Sequence, residues 1–199
     1  MNKKLLIGLG IFFVIVSVIA FAPTEKPNRE HQQQDFLKIY EEDKSNVYHS
    51  RRAFYFSNNL LTIAPRDSLY NLFKDSEDMY KKCSAYYALC SSFLPSSLKE
   101  FKKDFEQSFS ELANSCVILQ DYSKYMADFI NTNSLESSRK AQEALEQKPF
   151  KIMANAASRL VFGVGEKIGI DTDSFSKEYK IISERVIEEF EAEFGKITK

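Results

Sequence analysis

Apolar residues recur every three or four positions along most of the chain after residue 35, which is the spacing of one face of an α-helix. Prolines and helix-capping residues divide this pattern into successive segments. We therefore predict an all-α, antiparallel bundle of four to five helices, two of them in a coiled-coil-like hairpin. The predicted segments are 35–63, 67–94, 97–130, 135–148, an apolar stretch at 150–170, and a last helix from 171 or 173 to about 197.

The inward face of the first predicted helix is only half apolar. Asp43, Ser50 and Ser57 share its stripe with five apolar residues. Because charged and polar side chains usually stay in contact with water, we expect this face to lie at the border of the bundle. The apolar residues of the stripe are Phe36, Tyr40, Val47, Phe54 and Leu61.

The second and third helices are predicted to form an antiparallel hairpin. Pro95 ends the second helix, and the sequence from Ser97 to Glu100 has the form of a capping box that starts the third. Only about two or three residues connect the two helices, so they are expected to be antiparallel neighbours. In this arrangement residue i lies opposite residue 192 − i, and Cys83 faces Phe109. This register argues against a disulfide between Cys83 and Cys116.

The three cysteines therefore fit best as small apolar core residues. Cys83 and Cys90 lie about 10 Å apart along one helix, beyond the reach of a disulfide. Phe101, Phe105 and Phe109 form an aromatic ridge with a spacing of four residues, which is typical of a packed core. A ligand-binding groove is the minority interpretation of this ridge.

Residues 150–170 form the most apolar stretch of the chain after residue 22. A buried helix is the simpler interpretation, and an amphipathic segment that contacts lipid or a partner helix is the alternative. The run from Gly163 to Ile168 resembles a dinucleotide-binding loop, but it lacks the third glycine and follows a predicted helix. We interpret its glycines as helix-ending and hinge residues. In the segment between 135 and 148, Leu135, Ala144 and Leu145 are predicted to face inward.

The N-terminal 22 residues predict where the protein is located. Leu5–Ala22 contains no charged residue and would span about 27 Å as a helix, close to the thickness of a bilayer core. This length favours an uncleaved signal anchor, while a signal peptide cleaved after Ala20 is the alternative. Lys3 and Lys4 orient the N-terminus toward the cytoplasm, so we expect a polar stalk at 23–34 and a helical bundle at 35–199 outside it.

The charge balance argues against nucleic acid as a partner. The chain has 27 basic and 28 acidic residues, and without Lys3 and Lys4 the counts are 25 and 28, a net charge of −3. No basic stripe stands out in the sequence, whereas nucleic-acid-binding domains carry clustered Lys and Arg. The remaining expected partners are the bilayer, through residues 5–22, and a protein partner or a second copy of the chain.

No catalytic or metal-binding pattern is visible. His31 and His49, the chain's two histidines, are 18 residues apart, without the short helical spacing that metal ligands show. No motif supports a Cys–His nucleophile pair. We therefore expect no enzymatic activity, no cofactor and no metal.

Two classes of function follow from the sequence. The first is a membrane-anchored extracytoplasmic binding or scaffold protein that acts through protein–protein contacts. The second is a secreted or anchored membrane-active or ligand-binding protein, such as a toxin, its antagonist or a sensor-like domain. The predicted architecture is similar to the helical ligand domains of bacterial chemoreceptors, but we find no second membrane span of comparable length in the sequence.

Overall fold

The computed structural model describes residues 28–90 and 92–195, and these residues are almost entirely helical, with no strand among them. The all-α prediction is therefore confirmed. The predicted anchor at 1–22 and the first residues of the stalk lie outside the described residues. No helix within the described ranges combines the length and the apolar character that a membrane crossing requires. The α-helices are α1 (Arg29–Asn59), α2 (Arg66–Cys90), α3 (Lys102–Thr132), α4 (Leu135–Glu146), α5 (Pro149–Ser158) and α6 (Asp173–Phe194).

Three shorter helical segments connect these helices. They are the 3-10 helices Leu60–Thr62 and Ser96–Phe101 and the π-helix Arg159–Gly165, which continues directly from α5. α1 packs against both α2 and α6, and α3 packs against α2 on one side and against α4 and α5 on another. The prediction that Pro149 breaks the helix before it is confirmed, because α4 ends at Glu146 and Pro149 is the first residue of α5.

α1 begins six residues earlier than predicted. Asn28 caps the helix with its side chain, and Arg29 and Gln33 each donate a hydrogen bond to the carbonyl of Ile168 at 2.8 Å. Gln32 is buried in the same region. The residues from 29 to 34 therefore form the first turns of α1 rather than a stalk, because Arg29 and Gln33 bond to the turn that follows the π-helix and Gln32 bonds to the 3-10 helix Ser96–Phe101.

The predicted capping box at the start of the third helix is wrong. Ser97 and Glu100 lie in the 3-10 helix Ser96–Phe101 and bond to α1 instead of to each other. The hydroxyl of Ser97 donates to the carboxylate of Asp35 at 2.6 Å, and the side-chain amide of Gln32 donates to Glu100. α3 consequently starts only at Lys102.

This late start shifts the register of the α2–α3 hairpin and overturns the prediction about its cysteines. Cys83 pairs with Cys116 in a disulfide, with 6.0 Å between their Cα atoms, although the predicted register placed Cys83 opposite Phe109. The antiparallel arrangement itself is confirmed. Since the 3-10 helix uses residues that were expected to form the first turns of α3, later residues of α3 face α2. Tyr87 accordingly stacks on Phe109, with ring centroids 6.1 Å apart, rather than facing Phe105.

Among residues 28–90 and 92–195, the core consists of two apolar clusters. The first lies near the start of α1 and includes Phe105 and Phe109, with Phe101 at its edge, which confirms the aromatic ridge as core. The second lies toward the start of α2 and includes Phe73 and Phe190.

Two inward-facing assignments are wrong, and both residues stand at a helix end. Leu135, the first residue of α4, is 82 % exposed, whereas Ala144 is buried as predicted. In the last predicted helix, the apolar spacing places Phe194 on one face with Phe175, Tyr179, Ile182 and Val186. Phe194, the last residue of α6, is instead exposed, and Phe190 one turn earlier is fully buried. Terminal residues of a helix have fewer neighbouring elements to pack against, which the periodicity alone does not reveal.

The disulfide yields a direct test of the register. Replacing both Cys83 and Cys116 by alanine should lower the free energy of unfolding by about 3–4 kcal/mol, because the bond closes a loop with a sequence separation of 33. Denaturant unfolding with and without reductant measures this difference, and Cys90→Ala is the control. If thiol labelling of the denatured, non-reduced protein modified all three cysteines, the assignment of the disulfide would be refuted.

Candidate functional site

A cavity of about 250 Å³ lies between α1, α6 and the continuous segment formed by α5 and the π-helix. Most of its walls are apolar, and its polar groups come from α1, α6 and the end of α5. The lining residues are Val47, Ser50, Arg51, Phe150, Met153, Ala154, Ala157, Ser158, Val161, Phe162, Phe175 and Tyr179.

Small side chains on α5 leave the space open. Ala154, Ala157 and Ser158 line the cavity, where larger residues would fill it. Phe150 also lines the cavity and packs its ring on Phe54 of α1, with centroids 4.7 Å apart. Phe162, another lining residue, is 40 % exposed. The apolar character of residues 150–170 thus serves both the core and the cavity wall.

The π-helix forms the second half of this wall. Its wider turn brings Val161 and Phe162 to the cavity, and π-helical turns are frequent at functional sites because they redirect side chains. Arg159 fixes the segment to α3 through an ion pair with Glu111 at 3.0 Å. The run of residues 163–168 follows a helix rather than a strand, as predicted. Gly165 is the last residue of the π-helix, whereas Gly163 lies inside it and does not end a helix.

Arg51 is the charged residue of the cavity lining. Its Nη1 donates to the carbonyl of Tyr179 at 3.2 Å and to the hydroxyl of Ser183, both on α6. Within the described ranges no carboxylate lies at ion-pair distance from Arg51, and burial lowers the pKa of its guanidinium. The adjacent Arg52 differs, because it lies within 3.4 Å of a carboxylate oxygen of Glu189.

Behind the cavity lies a buried carboxylate. Asp43 accepts hydrogen bonds from the hydroxyls of Tyr87 at 2.5 Å and Tyr179 at 2.6 Å, one on each oxygen. Burial raises the pKa of Asp43 above its ordinary value near 3.8, although the two hydrogen bonds act in the opposite direction. The pKa values of both tyrosines are raised for the same reason, and also by the nearby carboxylate.

The prediction that Asp43, Ser50 and Ser57 lie at the border of the bundle is wrong, because all three are buried. Each has polar partners that replace water. Those of Asp43 are the two tyrosines. Ser57 donates to the carbonyl of Ala53 at 2.8 Å, one turn back along α1. The hydroxyl of Ser50 donates to the sulfur of Cys83 at 3.8 Å, and the main-chain carbonyl of Ser50 accepts a hydrogen bond from Tyr80 at 2.8 Å. Tyrosines on the facing helices could have signalled this arrangement, since Tyr hydroxyls seek acceptors when buried.

The structure keeps the histidines and cysteines apart. His31 and His49 are both exposed on α1, and neither is hydrogen-bonded to a cysteine in the part of the chain that the structure describes. Cys90 is half-buried, and burial raises the pKa of its thiol to about 11. At neutral pH this thiol is protonated and a poor nucleophile. Among residues 28–90 and 92–195 no group of three or more His, Cys, Asp or Glu side chains is placed to hold a metal ion.

Comparison with known proteins identifies no relative of this chain. The chain matches no protein-family model, and neither a curated protein nor a solved structure matches it.

The buried carboxylate predicts a characteristic pH dependence of stability. Since the pKa of Asp43 is higher in the folded than in the unfolded chain, the folded protein takes up its proton first as the pH falls. The contribution of Asp43 to the free energy of unfolding should therefore increase toward acidic pH and be lost as the pH rises through the folded-state pKa.

Urea unfolding of the wild type and Asp43→Asn across pH 4–8 measures this contribution, because the amide does not titrate. The wild type should gain stability relative to Asp43→Asn as the pH falls. Asp75→Asn, at an exposed position of α2, is the control. Parallel pH profiles for the wild type and Asp43→Asn would contradict the assignment.

Proposed function

We propose that this protein is a membrane-anchored, extracytoplasmic binding protein that holds an apolar ligand or apolar group in the cavity between α1, α5 and α6. The cavity carries this proposal. It is walled mainly by side chains such as Val47, Met153 and Phe175, and it is bordered by small residues on α5. Ligand sites typically combine such apolar walls with a few placed polar groups.

The size of the cavity limits its occupant to a small group. Its 250 Å³ lies just below the usual range of about 300–1,000 Å³ for ligand pockets. It exceeds the volume of about 150 Å³ at which an apolar cavity in an engineered protein binds benzene. A short alkyl chain or a compact group of two or three aromatic rings would fit.

Binding without catalysis agrees with the chemistry of the lining. The groups that line the cavity include two serines, one arginine and one tyrosine, and the arginine is hydrogen-bonded to α6. Within the described residues neither serine is hydrogen-bonded to a carboxylate or a histidine. The hydroxyl of Tyr179 donates to Asp43, but burial and the carboxylate raise the pKa of this hydroxyl, whereas an activated nucleophile requires a lowered one. We therefore propose a non-enzymatic role.

A second candidate function is a scaffold role through protein–protein contacts or self-association, as the sequence pattern favours. Ile63 and Leu135 are 60 % and 82 % exposed, respectively. They follow α1 and α3 at neighbouring ends of the fold, because Arg66 donates to the carbonyl of Asn131 at 2.9 Å. Binding of a partner protein at this end of the fold would remove these two apolar side chains from water.

The proposed location rests on residues 5–22 and on the charge of Lys3 and Lys4. Fractionation of cells that produce the full chain tests it. The protein should remain in the membrane fraction after a high-salt wash, should be released by detergent, and should be degraded by protease added from outside. A soluble protein that begins near Phe21 would show cleavage and would shift the proposal to a secreted binding protein.

Filling the cavity should abolish binding of an apolar probe. We expect Ala154→Phe to weaken the binding of N-phenyl-1-naphthylamine, an uncharged fluorescent probe, by about tenfold or more, because the new ring occupies the space of the ligand. Fluorescence titration measures the Kd. Asn155→Phe adds the same ring at the next position of α5, outside the lining, and should bind as the wild type does. Equal affinities for Ala154→Phe and the wild type would place the probe elsewhere and contradict the proposal.

A further inference from the structure

The cavity has one charged lining residue in the part of the chain that the structure describes, and that residue is Arg51. Its two hydrogen bonds both come from Nη1 and go to uncharged acceptors, the carbonyl of Tyr179 and the hydroxyl of Ser183. A guanidinium has five N–H donors, so donors of Arg51 remain available for another acceptor.

The positive charge of Arg51 is not balanced within the described residues. The other two arginines of the same region have acidic partners: Arg52 contacts Glu189 and Arg159 contacts Glu111. Arg51 contacts no carboxylate there, and burial lowers the pKa of its guanidinium. A half-buried cation without a counter-charge is costly, and an anionic ligand would remove that cost.

We propose that the ligand of this cavity is an amphipathic monocarboxylate, with its carboxylate hydrogen-bonded to Arg51 and its alkyl chain packed along α5 and the π-helix. The inference rests on the proposed function, since it assigns the chemical class of the ligand at the same site. Planar guanidinium groups bind carboxylates with two parallel hydrogen bonds, a geometry that a single ammonium group lacks.

The arrangement of the lining orients the ligand. Arg51 of α1 is hydrogen-bonded to the carbonyl of Tyr179 on α6, so these two polar residues lie together. The opposite wall, formed by α5 and the π-helix, is apolar apart from Ser158. The charged group therefore belongs at Arg51, and the alkyl chain extends along that wall.

A series of three ligands with the same alkyl chain and different charge tests this proposal. Octanoate, 1-octanol and octylammonium are titrated against the full-length protein in detergent by displacement of N-phenyl-1-naphthylamine. The wild type should bind octanoate about tenfold more tightly than 1-octanol, as expected for one charge-assisted hydrogen-bonded pair, and octylammonium most weakly.

Two variants of Arg51 and one matched control complete the test. Arg51→Met keeps the length of the side chain and removes the charge, and it should bind octanoate no better than 1-octanol. Arg51→Lys keeps the charge and should retain the preference for octanoate in reduced form. Arg52→Met removes the neighbouring charge outside the cavity and should leave the preference unchanged. Circular dichroism and thermal unfolding establish that each variant is folded.

The outcomes separate this inference from the proposed function. If the wild type bound 1-octanol and octanoate equally, the assignment of a carboxylate would be overturned while the apolar site remained. If Arg52→Met, but not Arg51→Met, removed the preference, the anion would lie outside the cavity and the inference would be wrong. If none of the three ligands displaced the probe, both the inference and the proposed apolar site would fail. If Arg51→Met does not fold, the comparison of the three ligands with the wild type alone decides whether the site prefers a carboxylate.

Discussion

The fold depends on how it accommodates one buried carboxylate. Asp43 is almost fully removed from water, and an ionisable group in such a place is tolerated only with hydrogen-bonding partners. Tyr87 on α2 and Tyr179 on α6 supply them, one to each carboxylate oxygen. Three helices that are distant in sequence are therefore held at one point, with a geometry that apolar packing alone would not fix.

The hydrogen bonds of Asp43 also determine the geometry of the candidate site. Tyr179 donates its hydroxyl to Asp43, contributes its ring to the cavity wall and offers its carbonyl to Arg51. The same residue therefore sets the position of α6 and the position of the cation in the lining. The cavity remains open between these fixed elements because the facing side of α5 carries Ala154 and Ala157. Substitutions at Tyr179 would consequently affect stability and the site together, and they are poor probes of either.

The sequence was sufficient for those features that depend on local periodicity. The all-α class, the antiparallel α2–α3 hairpin, the break at Pro149 and the burial of Phe105 and Phe109 all follow from spacing and from helix-breaking residues. The register of the hairpin does not follow from spacing. The side chains of Ser97 and Glu100 can either cap a helix or form hydrogen bonds to α1, and in the structure they bond to α1.

Local sequence patterns do not predict the candidate site either, for a related reason. A polar residue on an apolar stripe, such as Asp43, is predicted to be exposed unless its hydrogen-bonding partners are known. The partners of Asp43, Tyr87 and Tyr179, are 44 and 136 residues away in the sequence. The cavity is likewise a property of three surfaces together. The apolar character of residues 150–170 favours a buried helix and does not reveal a cavity, and nothing in the sequence around Arg51 indicates that the acidic partners lie beside Arg52 instead.

The early start of α1 has a consequence for the distance between the helices and the lipid. With residues 5–22 in the bilayer, as proposed, only residues 23–28 connect the membrane to a helix that begins at Arg29. Six residues span at most about 20 Å even when fully extended. The short tether would keep the cavity within a few nanometres of the lipid surface, where amphiphilic molecules leaving or entering the bilayer are most concentrated. A binding protein held in this way would take up molecules from the membrane surface rather than from bulk solution.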